Sequence, residues 1–222
     1  MKPVVVIHIP KTAGTSLRKI IENNYDSDEL YFVYDNHPDF HSINDLKNLN
    51  PPGIEKYKVV MGHFPFNKNL FPIENLRYFT IMREPVERVI SYYHHIMSHN
   101  DEWRGRITSL LEYLETSGDL QLQNQQTRML SGMKGHPITD KHLEQAIKNI
   151  DLYFEHVGIS ENFTESIDYL HNLLGWKNTA ILYENVSVNR PAVTSYSVYE
   201  LNRIREVNQF DISLYEHVRS KS

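Results

Sequence analysis

The sequence predicts an α/β protein with a parallel sheet covered by helices on both faces. Three observations carry that prediction. Short apolar runs rich in β-branched and aromatic residues recur along the chain. Segments with apolar residues spaced by three and four lie between them. The first run is continuous rather than alternating, as a strand buried on both faces is.

Val4–Ile9 is that first strand. Leu17–Asn24 follows with helical spacing at Leu17, Ile20 and Ile21. Asp35–Gly53, with its prolines and asparagines, is expected to be irregular. Tyr57–Met61 (YKVVM) and Tyr78–Met82 (YFTIM) are the next strands. Pro85 then stands where a helix would start, with Val86, Val89, Ile90, Tyr93 and Met97 recurring on one face. Helical patterns follow at Ile107–Glu115, at Leu120–Leu130 and at His142–Asn149; Leu110, Leu111 and Leu114 form a core stripe in the first of them. His156–Ser160 and Thr179–Tyr183 are later strands, with Phe163–Leu174 as the helix between them, and Tyr199–His217 is a closing helix. No repeat or linker-like stretch interrupts this alternation, so residues 1–222 are read as one domain.

Composition narrows the function classes. At 222 residues and 40% hydrophobic content the chain can bury one good core. With 23 basic and 28 acidic side chains its formal charge is −5, which disfavours general nucleic-acid or anionic-membrane binding but leaves room for a local basic cleft. Cysteine is absent, which excludes disulfides and thiolate metal sites and fits a reducing compartment. Val4–Ile9 is too short for the apolar core of a signal peptide and is interrupted by His8, and no apolar stretch approaches transmembrane length. A soluble, cytoplasmic protein is expected, with no integral membrane segment and no nucleic-acid partner.

The chemistry begins in Pro10–Ser16 (PKTAGTS), between the first strand and the first helix. Ligands of parallel α/β sheets bind at the carboxyl ends of strands. Small residues there let backbone N–H groups converge on an anion, aided by the helix N-terminus. Gly14 permits close approach or an unusual backbone angle, Thr12, Thr15 and Ser16 add hydroxyls, and Lys11 adds a mobile cation. This is not a Walker A loop, because no Gly-Lys-Ser/Thr closes it. A plain strand–turn–helix connection is the alternative.

Ile81–Tyr93 (IMREPVERVISYY) repeats the arrangement of strand end, turn and helix. Arg83 leaves the strand and Ser91 lies two turns on, about 12 Å along the axis. A guanidinium folding back could meet the Ser91 hydroxyl around one phosphate. The alternative is an ordinary helix start with Glu84 and Arg88 as an i,i+4 pair.

PKTAGTSL followed by REPVERVISYY resembles the sulfotransferases that use 3′-phosphoadenosine 5′-phosphosulfate (PAPS). Within them it is most similar to the carbohydrate branch containing heparan sulfate 2-O-sulfotransferase and bacterial members. The resemblance implies a P-loop nucleotide-hydrolase-like fold, PAPS as co-substrate with the bisphosphate PAP as product, and no metal requirement. It implies that Lys11, Thr12, Ala13, Gly14, Thr15 and Ser16 grip the 5′-phosphosulfate, and that Arg83 and Ser91 grip the 3′-phosphate. NQQTRMLSG (Asn124–Gly132), His156–Leu170 and Asn185–Glu216 are similar to bacterial members more loosely, whereas Asp26–Gly53 matches nothing. Arg190, in VNRPAV, stands where such enzymes often close a late loop over the 3′-phosphate; a turn residue before Pro191 is the alternative.

Sulfuryl transfer to an alcohol needs a base poised near neutrality, which histidine suits. His63, directly after a strand in VVMGHFPF, falls on the same sheet edge as both loops. The resembling 2-O-sulfotransferases carry His-Gly-His here, the second histidine being the base; this sequence has Met61-Gly62-His63. His63 is therefore expected as general base. Lys11 is expected to act at the bridging oxygen, where charge appears as the S–O bond breaks. A solvent-facing strand-end histidine is the alternative for His63.

Weaker candidates remain. Arg128 lines an acceptor cleft or only solvates a helix. Asp35, His37, Asp39 and His41, and the pair His95 and His99, offer metal-ligand residue types without an established metal spacing. The expected function is sulfuryl transfer from PAPS to a hydroxyl-bearing acceptor, a saccharide by resemblance. The alternatives are an atypical kinase and a nucleotide-binding module without turnover.

Overall fold

The computed structural model describes residues 3–221, apart from 36, 50, 72, 74, 75 and 178–190, and for 51 and 52 the backbone alone. Among these residues five strands make one parallel sheet: β1 (Val4–Ile7), β2 (Leu30–Val33), β3 (Val59–Gly62), β4 (Arg77–Met82) and β5 (Phe154–Ile159). Their order is β2-β3-β1-β4-β5. The helices are α1 (Gly14–Glu22), α2 (Ile43–Asn48), α3 (Pro51–Ile54), α4 (Pro85–His99), α5 (Asp101–Arg106), α6 (Leu110–Thr116), α7 (Gln125–Ser131), α8 (Asp140–Tyr153), α9 (Phe163–Leu174), α10 (Val198–Val207) and α11 (Gln209–Arg219).

The sheet separates two apolar layers because successive side chains of a strand point to opposite faces. Val5, Ile7, Tyr31, Val60 and Tyr78 face one layer, which takes Leu46 of α2, Met129 of α7, Ala146 of α8 and Leu214 of α11. Val4, Val6, Phe32, Met61 and Phe79 face the other, covered by Leu17, Ile20 and Ile21 of α1 and by Phe163, Ile167 and Leu170 of α9. A third cluster packs α4 against α6 and α10 through Val86, Val89, Leu110, Leu114 and Ile204. Each large apolar side chain so buried contributes roughly 1.5–3 kcal/mol.

Strand order decides where a ligand can bind. The chain leaves β1 towards β2 on one side of the sheet, and leaves β4 towards β5 on the other. The adjacent ends of β1 and β4 are therefore a topological switch point, where the two following loops diverge and leave a crevice. Register fixes them level: Ile7 of β1 pairs with Thr80 of β4 on one side and Gly62 of β3 on the other. The Thr80 hydroxyl donates to the Ile7 carbonyl at 2.7 Å.

Several boundaries differ from expectation for local reasons. The first strand stops at Ile7 rather than Ile9, because Lys11 and Ala13 turn to positive φ, 72° and 64°. β2 was not expected at all, although Leu30–Tyr34 (LYFVY) is rich in strand-forming residues. The supposedly irregular Asp35–Gly53 holds α2, started by a capping box in which Ser42 and Asp45 exchange hydrogen bonds, and the beginning of α3. Leu120–Leu130 is split by Asn124 at φ 48°, so that α7 begins only at Gln125. The closing helix is two helices. Buried Asn208 parts them and donates to Leu122 O at 2.8 Å and Ile204 O at 3.0 Å. The expected strand Thr179–Tyr183 lies outside the described residues.

Gly62 is the tightest point of the sheet beside the crevice. A Cβ there would stand 2.1 Å from the Val33 carbonyl oxygen and 2.7 Å from Val33 Cβ. Gly62→Ala is expected to cost about 1–3 kcal/mol through overpacking, read as a lower urea midpoint at unchanged slope. An unchanged midpoint would mean that β2 and β3 do not approach this closely.

Candidate active site

Both anion-suited loops and the histidine expected as base open into one crevice of about 1310 Å³ at the carboxyl ends of β1, β3 and β4. In the first loop, Lys11 and Ala13 adopt left-handed backbone while Thr12 between them does not. Alternation of hand turns successive N–H groups inward and makes an anion-binding concavity. For residues with a side chain this costs roughly 1–2 kcal/mol each. The burial of Leu17, Ile20 and Ile21 behind the loop more than offsets it. Ala13 is the residue before α1, so the concavity continues into the N–H groups of that helix.

Lys11, Ala13, Gly14, Thr15 and Ser16 line the crevice. Thr12 does not act as expected. It is buried, and its hydroxyl donates to the Ile9 carbonyl at 2.8 Å, so it shapes the turn rather than offering its proton to a ligand. Gly14 serves close approach, not an unusual φ: a Cβ there would stand 1.7 Å from His8 Nε2.

The second loop brings Arg83 and Ser91 to the same crevice. Gln126 of α7 holds Arg83 by both backbone groups, its Oε1 accepting from Arg83 N at 3.0 Å and its Nε2 donating to Arg83 O at 2.9 Å. The guanidinium donates to Lys11 O at 3.3 Å and to Glu87 Oε2 at 3.2 Å, which bridges the two loops. The alternative pairing of Glu84 with Arg88 does not form. The Glu84 carboxylate instead accepts from the N–H of Glu87, and buried Arg88 donates to Gln121 O at 2.6 Å.

His63 stands at the end of β3, in ring contact with His8 (4.5 Å between centroids) and Tyr34 (4.7 Å). The surrounding protein pushes its pKa down to about 4, with Asp35 pulling the other way. The ring is nonetheless exposed to the open crevice, where water screens part of that effect. The direction is what the chemistry uses: a neutral imidazole at pH 7. His8 is held well below the usual histidine range by burial first, then by His63, Arg18 and Lys11. Its Nδ1 is 2.9 Å from the Tyr34 hydroxyl. His95, on α4, is lowered to about 4 by burial and then by Lys11 and His99. Lys11 thus acts on imidazoles on both sides of the crevice.

Sequence reasoning missed His8, Tyr34 and Gln126. A polar residue interrupting the apolar run was the available sign for His8; nothing in the sequence pairs Gln126 with Arg83. Arg128 lies away from the crevice lining, donating to Gly135 O and Gln123 O. Arg190 lies outside the described residues. Asp35 and His37 line the crevice, but Asp35 accepts from Ile43 N and His41 stacks on Tyr31. The His99 ring bonds the His95 carbonyl. Among the described residues no group of three or more metal-ligating side chains comes together.

A family model described as "Sulfotransferase family" matches residues 2–217. The chain therefore belongs to the sulfotransferase family. It is 23% identical over 178 residues to galactose-3-O-sulfotransferase 2 of Sus scrofa, a match covering 73% of this chain and 44% of that protein. The chain thus spans less than half the length of this curated relative. Among solved structures, a sulfotransferase from Alicyclobacillus acidocaldarius superposes with a TM-score of 0.51 at 13% identity, over 99% of this chain and 96% of that one. Mouse sulfotransferase SULT7A1 complexed with PAP gives 0.47 at 13% identity, over 96% and 66%. The parallel five-stranded sheet flanked by helices is the P-loop-like fold of sulfotransferases. No helix among the described residues is long and apolar enough to cross a membrane.

The His8–Gly14 contact is directly testable. Gly14→Ala should lower the melting temperature by several degrees, at roughly 2–4 °C per kcal/mol for a chain of this size. Adding His8→Ala should restore most of the loss, because the clashing ring is gone. Additive losses in the double variant would place the strain elsewhere.

Proposed function

We propose that residues 1–222 form one sulfotransferase domain that moves the sulfuryl group of PAPS to an acceptor hydroxyl. The observation that carries this reading is the convergence of Lys11, Arg83, Ser91 and His63 on one crevice at the switch point. The loop from Lys11 to Ser16 cradles the 5′-phosphosulfate, with Thr12 contributing backbone only. Arg83 and Ser91 hold the 3′-phosphate, and the resemblance adds Arg190 to the same phosphate.

Transfer is in line. The acceptor oxygen bonds to sulfur while the bond from sulfur to the bridging phosphate oxygen breaks, its electron pair staying on the phosphate. His63, neutral at pH 7, takes the acceptor proton. Lys11 offsets the charge appearing on the bridging oxygen. The sulfuryl group carries less charge than a phosphoryl group, so no metal is needed to neutralise it. A saccharide acceptor is supported by the galactose-3-O-sulfotransferase relative. It is also supported by the resemblance to the carbohydrate branch that contains heparan sulfate 2-O-sulfotransferase.

Thermal-shift titration with PAP, ADP and ATP tests the donor. PAP should stabilise the protein without added metal and at lower concentration than ATP; the reverse order would favour a kinase. His63→Ala should abolish transfer, by at least about 10²-fold, with PAP affinity nearly unchanged. Arg83→Ala should chiefly weaken PAP, by roughly 1.5–3 kcal/mol for a lost charged hydrogen bond. Equal losses of affinity in both variants would contradict these roles.

The lowered pKa of His63 predicts the pH profile. A base whose pKa is depressed stays neutral until the pH falls through the depressed value. The acid limb of kcat/KM for PAPS, which reports the free enzyme, should therefore lie below the ordinary histidine value of about 6.5, towards 4. A limb at or above that ordinary value would remove His63 from the role or burial from the cause.

A further inference from the structure

We propose that His8 is a second catalytic imidazole, a neutral donor whose Nε2–H bonds an oxygen of the sulfuryl group in transit. The inference rests on the sulfotransferase reading above and assigns a residue that reading does not use.

Geometry gives the two ring nitrogens different surroundings. Nδ1 is 2.9 Å from the Tyr34 hydroxyl, which burial keeps protonated. Gly14 packs against the face of the ring: a single added methyl would stand 1.7 Å from Nε2 and 2.1 and 2.3 Å from the two carbons beside it. Gly14 opens α1 and belongs to the loop that forms the anion concavity, and His8 lines the same crevice, so the ring borders the place assigned to the anion. The ring also touches His63, 4.5 Å away between centroids. One imidazole thus touches both the base and the loop of the cradle.

Charge fixes what that imidazole can do. A second positive imidazole is disfavoured by burial and by His63, Arg18 and Lys11, so the ring is neutral and carries one proton. With an anion in the concavity, a lone pair on Nε2 would face anionic oxygen and repel it. The proton then belongs on Nε2, and Nδ1 accepts from Tyr34. A neutral N–H donor held over the reacting group stabilises oxygen charge without surrendering its proton. His8 keeps that proton throughout, while the acceptor proton goes to His63 and the electron pair of the broken S–O bond goes to PAP. Gly14 is required because any larger residue would push the donor away.

The test is the tautomer of His8 in the product complex. Protein with 15N-labelled imidazoles is saturated with PAP and then titrated with inorganic sulfate, which occupies the place of the departed sulfuryl group. The expected spectrum at pH 7 shows His8 neutral, protonated on Nε2, with the Nε2–H resonance moving as sulfate is added. Tyr34→Phe should leave the Nε2 proton in place and shift Nδ1 alone. A proton on Nδ1, or an Nε2 signal indifferent to sulfate, overturns the proposal. In single-turnover hydrolysis of PAPS, with water as acceptor, His8→Ala should slow sulfate release on the order of 10²-fold. PAP affinity should stay within about threefold, and His8→Gln, which keeps an N–H donor, should recover part of the rate. Hydrolysis by His8→Ala at the wild-type rate overturns it too. Should PAP fail to bind the wild-type protein, the sulfotransferase reading itself falls, and this proposal with it.

Discussion

The site depends on the register of β1 against β4. With Ile7 level with Thr80, β4 ends two residues beyond β1, and the loops that follow them diverge from neighbouring strand ends. One residue of slip would turn every side chain of a strand to the opposite layer. The two layers are filled by different helices, α2, α7, α8 and α11 on one face and α1 and α9 on the other, so side chains exchanged between them would not fit either packing. The left-handed turn at Lys11 and Ala13 can then persist. Its strain is local, whereas the packing of α1 that holds it is distributed over three buried side chains.

Electrostatics inside the crevice follow from the same compaction. Four imidazoles line it, and burial keeps those of His8, His63 and His95 below the usual histidine range. Lys11, Arg18 and Arg83 are the cations of its wall, set among Asp35, Glu87 and Glu161, and Glu87 shares the Arg83 guanidinium. A chain of net charge −5 thus gathers three of its cations around one crevice without being basic overall. The histidines supply proton-accepting and hydrogen-bonding capacity without adding charge that would trap an anionic product.

Much of this was legible in the sequence, and the exceptions have physical causes. β1, β3, β4 and β5 announced themselves as short apolar runs, and Pro85 marked the start of α4. The place of Lys11, Arg83 and His63 on the crevice was legible because each follows a strand end, and that of Ser91 because it stands eight residues after Arg83 on the next helix. β2 escaped because Leu30–Val33 is followed by a segment full of turn residues, whose helix is set by one Ser42–Asp45 box. Thr12 was misjudged because the direction of a hydroxyl depends on the turn around it, and His8 because one polar residue in an apolar run has no partner visible in one dimension. Gln126 is the clearest case: its amide matters only through a contact with a residue 43 positions away.

That contact continues. The N–H groups of Gln126 and Thr127 donate to Asp211, 85 and 84 residues further on, and the Asn124 side chain accepts from the backbone of Phe210 and Asp211. The backbone of Arg83 is thus anchored, at two removes, to the beginning of α11. Loops this long form late because their closure entropy must be met before the contacts return anything. A chain emerging from the ribosome lacks the carboxylate that seats α7 until Asp211 has cleared the exit tunnel. The Arg83 half of the crevice is thus set only once α11 has joined the fold.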